Sequence, residues 1–175
     1  MKILVVVDEQ VDFTSGVLGN EECLASVDKV CDLINSGNYD LIIATKDTHE
    51  KNYLDTQEGK NLPVVHCVKG TEGHELHPNV KSALKGKNFV EIEKETFGSV
   101  DLGRMIKDIY LDVHKVEIDF CGVCTGICVI NNVSIVKAFA PEVVVNVVAD
   151  ACACITPESH KIALDAMKTY QVNII

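Results

Sequence analysis

Ile3-Leu-Val-Val-Val7 is a run of five apolar residues with no polar position to mark a wet face. It is too short for a helix and the right length for a strand buried on both sides. Asp40-Leu-Ile-Ile-Ala-Thr45 and Glu142-Val-Val-Val-Asn-Val-Val-Ala149 share that character, and Asn88–Glu93 alternates as a further strand. Lys115–Cys121 and Gln171–Ile175 supply two more. Between these runs the apolar spacing turns helical. Leu24, Val27, Val30 (or Cys31) and Ile34 fit an amphipathic helix from about Glu21 to Ser36, closed by Gly37. Leu102, Met105 (or Ile106) and Ile109 mark another near Val100 to Leu111, and Ile127, Ile130, Val133, Val136 and Ala140 a third. Thr156 caps a last helix that opens with Pro157 and runs to about Tyr170. Six strands alternating with helices predict an α/β fold with a parallel sheet covered on both faces. The 175 residues, 47% of them apolar, suit one domain over 1–175.

Three strands end in groups that can do chemistry. Asp8 follows the first, Lys94 the third, and Cys128 lies just beyond the fourth. All carboxyl ends of a parallel sheet emerge on one edge, so these residues can meet there. A carboxylate can take a proton from a thiol and return it to a leaving amine, while an ammonium stabilises the thiolate. Gly122 to Val129 reads as a tight turn into a helix, with Thr125 as N-cap and Cys128 in the first turn. Unpaired N–H groups and the positive end of the dipole lower a thiol's pKa there and leave donors for an oxyanion. The plainer readings are a strand-ending acid at Asp8 and a buried structural thiol at Cys128. Cys124 stands close to Cys128 in the chain, and side by side the two are open to oxidative joining or capping.

Residues 50–77 have little periodicity but contain Glu58, His66, His74 and His77. The embedded Leu62–Val68 is too apolar for a disordered linker, which favours an ordered active-site loop. Asp47 and His49 are two apart at a strand end and point the same way. With His66 they offer one oxygen and two imidazole nitrogens, a set suited to Zn²⁺, Fe²⁺ or Mn²⁺ with open positions. A solvated loop accounts for the same residues. Cys121-x-x-Cys124 has no second pair of suitable spacing, since Cys152-x-Cys154 is too close for a zinc ribbon. With 16 basic against 26 acidic residues the chain carries a net charge of −10, which speaks against nucleic acid or an anionic membrane as partner. No 18-residue apolar run and no export signal are read, so a cytoplasmic location is expected, with the eight cysteines as free thiols.

Five blocks occur in order: Asp8-x-Gln10-x-Asp12-Phe13, Thr45-x-Asp47-x-His49, His66-Cys67-Val68-x-Gly70-Thr71-x-Gly73, Lys94-x-x-Phe97 and Gly122-Val123-x-Thr125-x-x-Cys128-Val129. Together they resemble the nicotinamidase branch of the isochorismatase-like cysteine hydrolases, over essentially the whole chain. That resemblance implies a three-layer α/β/α sandwich around a six-stranded parallel sheet. It implies hydrolysis of nicotinamide to nicotinate and ammonia, with Asp8, Lys94 and Cys128 as the triad and a thioester on Cys128. A cis peptide between Val123 and Cys124 is implied, with the amides of Cys124 and Cys128 as oxyanion donors. Phe13 and Phe97 would neighbour the substrate ring. One divalent transition metal, Zn²⁺ first and Fe²⁺ or Mn²⁺ as alternatives, would be held by Asp47, His49 and His66, with Glu58 as a further ligand, and would take the pyridine nitrogen.

Some positions depart from the family pattern. Thr48 stands where Trp is frequent, Thr96-Phe97 replaces Tyr-Ser, Cys124 replaces Ala and Gly126 replaces Asp. The stretch from Asp112 to Asp119 is more polar than many fourth strands of the family. The alternatives to nicotinamide are another small amide, such as an N-carbamoyl or ureido compound, or a catalytically silent scaffold. A small-molecule amide is the expected partner and a homo-oligomer the expected assembly.

Overall fold

The computed structural model describes residues 1–175. Its strands are β1 (Lys2–Val7), β2 (Leu41–Asp47), β3 (Phe89–Lys94), β4 (Glu117–Val123), β5 (Val144–Ala153) and β6 (Asn173–Ile174). They form one sheet in the order β3-β2-β1-β4-β5-β6, with every neighbouring pair parallel. The helices are α1 (Val11–Thr14), α2 (Glu21–Ser36), α3 (Gln57–Asn61), α4 (Pro78–Leu84), α5 (Val100–Val113), α6 (Ile130–Phe139) and α7 (Pro157–Lys168).

The apolar run of β1 explains the layers. Alternation along the strand sends Ile3, Val5 and Val7 to one face, where they join Leu102 and Ile106 of α5, Val133 and Val136 of α6 and Met167 of α7. Leu4 and Val6 face the other way, toward Val27, Val30 and Ile34 of α2 and Val80 and Leu84 of α4. All five are fully buried, and each side chain so buried stabilises the fold by about 1.5–3 kcal/mol. Helix starts are fixed locally. Asn20 accepts the Cys23 N–H at 2.8 Å and Ser99 the Leu102 N–H at 3.1 Å, while Thr156 and Ser159 form a capping box around Pro157.

From β1 the chain builds outward through β2 to β3, then crosses back to lay β4 against the free side of β1. The crevice outside the carboxyl ends of β1 and β4 is therefore the switch point of the sheet, where such folds bind ligands. The polar lead-in to β4 is accommodated because buried Asp119 accepts from Tyr39 Oη at 2.8 Å and Asn146 Nδ2 at 2.7 Å. Lys2 Nζ also lies 3.1 Å away.

Three expectations are corrected. β5 does not close at Asp150 but continues to Ala153. Phe120 pairs with Val147 while Gly122 pairs with Cys152, so β5 carries extra residues through a bulge. β6 shrinks to two residues. Residues 50–77 contain α3 and two 3₁₀ turns, at Tyr53–Asp55 and Glu72–His74, rather than an unbroken loop. No helix is long and apolar enough to cross a membrane.

Candidate active site

Sheet register brings the predicted triad together. Val7 is paired with Thr45 on one side and Gly122 on the other, and Asp47 with Lys94. Asp8, the next residue after Val7, takes a left-handed φ of +49°, a conformation uncommon outside glycine. Thr45 Oγ1 donates to Asp8 Oδ1 at 2.7 Å, while Asp8 Oδ2 forms a 2.6 Å ion pair with Lys94 Nζ. The same ammonium lies 3.7 Å from Cys128 Sγ. Gly122, at φ +111°, is required here: a Cβ would collide with the backbone of Val7.

Cys128 departs from the expected electrostatics. Burial and the facing Asp8 carboxylate outweigh Lys94 and push its thiol well above the ordinary cysteine value, so it rests protonated. The reason lies in the local fold. Residues Thr125–Val129 form a π-turn rather than a capped α-helical start, and Cys128 is only 5% exposed. Thr125 is not the N-cap: its hydroxyl donates to Ala153 O at 2.9 Å and lies 2.8 Å from His160 Nδ1. Burial opposes the charge of Lys94, but the carboxylates of Asp8 and Asp47 hold its pKa above the ordinary lysine value. Burial raises the pKa of Asp8 against the pull of Lys94.

Asp47, His49, Glu58 and His66 each offer a ligand atom, all within 4.8 Å of one another. His49 Nε2 lies 2.8 Å from Asp47 Oδ2, yet it is buried and makes no hydrogen bond. Two ligand atoms brought this close in a buried site suit a cation between them. His66 Nε2 is 3.6 Å from Asp47 Oδ2 and 3.8 Å from Glu58 Oε1. Its Nδ1 meets Val64 O at 2.7 Å, which fixes the ring with Nε2 toward the group. Although burial opposes it, His49, His66 and Lys94 hold the Asp47 carboxyl below the usual carboxylate range.

Both clusters open on one cavity of about 380 Å³. Phe13, Leu18, Leu62, Phe97, Ile127 and Ile155 give it apolar walls, and Asp47, Glu58, His66 and Cys128 supply its polar groups. Thr48 does not line it; its hydroxyl lies 2.9 Å from His74 Nε2 and donates to Lys46 O. The Val123–Cys124 peptide is cis, and the Cys124 N–H has no acceptor within the chain. The sulfurs beside Cys124 Sγ are those of Cys154, at 3.4 Å, and Cys23, not the expected Cys128.

Several positioning residues escaped sequence reasoning. Gln10 brackets Asp47, accepting its N–H at 2.7 Å and donating to its carbonyl at 2.8 Å, and also reaches His74 O. Asp12 accepts the Cys67 N–H at 2.8 Å, tying α1 to the His66 segment. Both stood in a motif block without an assigned task. Buried Tyr53 packs its ring on His49 and His66, with centroids 4.6 and 4.9 Å away. Asn132 joins Cys128 O to Ser99 N and Phe97 O. Nothing in the sequence marked these last two.

Known proteins share this fold. A nicotinamidase/pyrazinamidase of Mycobacterium tuberculosis is 26% identical over 187 residues, spanning 100% of this chain and 98% of that protein. The crystal structure of nicotinamidase/pyrazinamidase from Bacillus subtilis superposes with a TM-score of 0.82 at 25% identity, covering 99% of this chain and 98% of that one. Pyrazinamidase of Pyrococcus horikoshii, solved in complex with zinc, gives 0.82 at 27% identity with the same coverage. The isochorismatase domain matches residues 2–175, and the chain belongs to that family.

Proposed function

We propose that this enzyme, an amidohydrolase acting on a small amide, hydrolyses nicotinamide to nicotinate and ammonia. The observation that carries the reading is one apolar cavity with Cys128, backed by Asp8 and Lys94, on one side and a four-residue metal-ligand group on the other. Relatives named for nicotinamidase and pyrazinamidase activity support it. Asp47, His49, Glu58 and His66 would hold one divalent transition metal, and two imidazole nitrogens with two carboxylates fit Zn²⁺ first. Bound there, the metal supplies a Lewis acid for the ring nitrogen of the substrate.

The chain's own groups account for the bond chemistry. Cys128 Sγ attacks the carboxamide carbon as its proton passes to Asp8, and Lys94 offsets the developing thiolate charge. The amides of Cys124 and Cys128 receive the oxyanion. Asp8 returns the proton to the leaving nitrogen and ammonia departs, leaving a thioester on Cys128. Asp8 then takes a proton from water as it attacks that thioester; the C–S bond breaks, Asp8 returns the proton to the Cys128 sulfur, and the acid leaves and ionises to nicotinate. Phe13 and Phe97 flank the ring.

Ammonia release from nicotinamide, with and without a chelator, tests the reading. Turnover should disappear on chelation and return with zinc. Benzamide, alike in shape but without the ring nitrogen, should be a far poorer substrate. A metal-free protein that hydrolyses benzamide as readily as nicotinamide would overturn it in favour of a broader amidase.

A further inference from the structure

Eight cysteines are free, and the proposed reaction uses one. Three others gather at the carboxyl ends of β4 and β5. Cys124 Sγ and Cys154 Sγ are 3.4 Å apart, and Cys23 Sγ of α2 points at the Cys154 carbonyl from 3.8 Å. Sheet register causes the pairing. Val123 is opposite Ala153, so Cys124 and Cys154 are the next residues on adjacent parallel strands. Closing the sulfurs to a disulfide length of about 2.0 Å needs a shift of only about 1.4 Å.

The two thiols face different spaces. Cys124 lines the active-site cavity, whereas Cys154 lines a second cavity of about 300 Å³ beside Ser26, Cys152 and His160. Cys154 is also the better nucleophile. Burial works against its thiolate, but the polar surroundings of Ser159, the Gly126 and Ile155 amides and the Cys124 thiol bring its pKa below the ordinary thiol value. Cys128 has the opposite setting, with its thiol held protonated by burial and Asp8.

We propose that Cys154 and Cys124 form a reversible oxidation site, charged by a hydroperoxide that enters through the second cavity. The Cys154 thiolate attacks one peroxide oxygen, so an S–O bond forms as the O–O bond breaks. The departing hydroxide takes up a proton as water. Cys124 sulfur then attacks the sulfenic sulfur, the S–O bond breaks, and the oxygen leaves as a second water carrying the Cys124 proton. Two thiols are oxidised by two electrons and one hydrogen peroxide is reduced to two waters. A thiol reductant reverses the bond by exchange. Drawing Cys124 toward β5 displaces the residue whose amide is assigned to the oxyanion. That effect on turnover rests on the proposed function; formation of the disulfide does not.

The test treats the full chain with near-stoichiometric hydrogen peroxide, alkylates the remaining thiols and maps peptides without reduction. A Cys124–Cys154 crosslink is expected, with ammonia release from nicotinamide falling at least about ten-fold and returning with reductant. Cys154→Ser should keep basal turnover and lose peroxide sensitivity about ten-fold or more. Crosslinks confined to other cysteine pairs, oxidation on Cys128 alone, or a Cys154→Ser protein inactivated at the wild-type rate would overturn the proposal. A full crosslink with unchanged turnover would support the oxidation site and contradict the displacement of the Cys124 amide alone. If the variant does not fold, the wild-type peptide map decides. A crosslink in a protein inert toward nicotinamide would support the oxidation site and count against the proposed function alone.

Discussion

Lys94 and Asp47 are registered partners on β3 and β2, and the Lys94 ammonium lies 3.3 Å from Asp47 Oδ1. The other oxygen of that carboxylate faces His49 and His66. One acid thus joins the metal-ligand group to the ammonium that serves Asp8 and Cys128, so disturbing either side is felt by the other.

Lys94→Met should lower turnover at least about a hundred-fold, because it removes the charge that offsets the thiolate. It should also cost about 3–5 kcal/mol of stability near pH 7, since buried Asp8 and Asp47 lose their counter-charge. Without Lys94 the folded-state pKa of Asp8 rises further above its unfolded value. The stability is then present below about pH 4 and lost as the pH climbs through the folded value. Urea titrations at pH 5 and pH 8 should show the smaller deficit at pH 5.

Gln10→Leu should loosen the metal-ligand group without touching a ligand. It strips partners from the Asp47 N–H and from the carbonyls of Asp47 and His74. Metal affinity, read by competition with a chromophoric chelator, should fall about 10- to 100-fold. Unchanged affinity would show that Asp47 needs no such support.

Glu9 is a further buried acid, outside the proposed reaction. Its Oε1 accepts from Ser26 Oγ at 3.2 Å and its Oε2 has no partner. Burial, with Cys23 and Asp8 adding to it against the Ser26 bond, pushes its carboxyl up to about 8. Because that value is raised, Glu9 costs nothing below the unfolded value of 4.5. Between there and about 8 the unfolded chain alone ionises, and stability falls by about 1.4 kcal/mol per pH unit. Glu9→Gln should flatten this slope, so that variant and wild type converge near about pH 4 and the variant is the more stable at about pH 8. Parallel stability curves would contradict the buried-carboxyl account.

His66→Ala should empty the metal site and cut nicotinamide turnover at least about a hundred-fold. Metal analysis of the purified variant reads the first effect independently of activity. A variant that retains stoichiometric metal would remove His66 from the ligand set.

The sheet was legible because residues buried on both faces leave uninterrupted apolar runs, as at Ile3–Val7. The gathering of Asp8, Lys94 and Cys128 followed from strand ends, since a parallel sheet has one carboxyl edge. Contacts set by tertiary register were not legible. Thr125 looked like a cap because Ser and Thr favour that position, but its hydroxyl finds Ala153 and His160 across the fold. Sequence proximity paired Cys124 with Cys128, whereas strand pairing sets it against Cys154. Tyr53 and Asn132 left no trace because packing a ring on two imidazoles, or bridging two loops, has no periodicity.

Ammonia release from nicotinamide by Cys128→Ala, set beside the wild type, tests the central claim most directly. The substitution removes one buried sulfur and leaves the Asp8–Lys94 ion pair in place, so circular dichroism should show an unchanged fold. Turnover should drop at least about a thousand-fold, because no other group replaces the nucleophile. Hydrolysis by the folded variant at a rate close to wild type would contradict the thioester route and with it the assignment of Cys128.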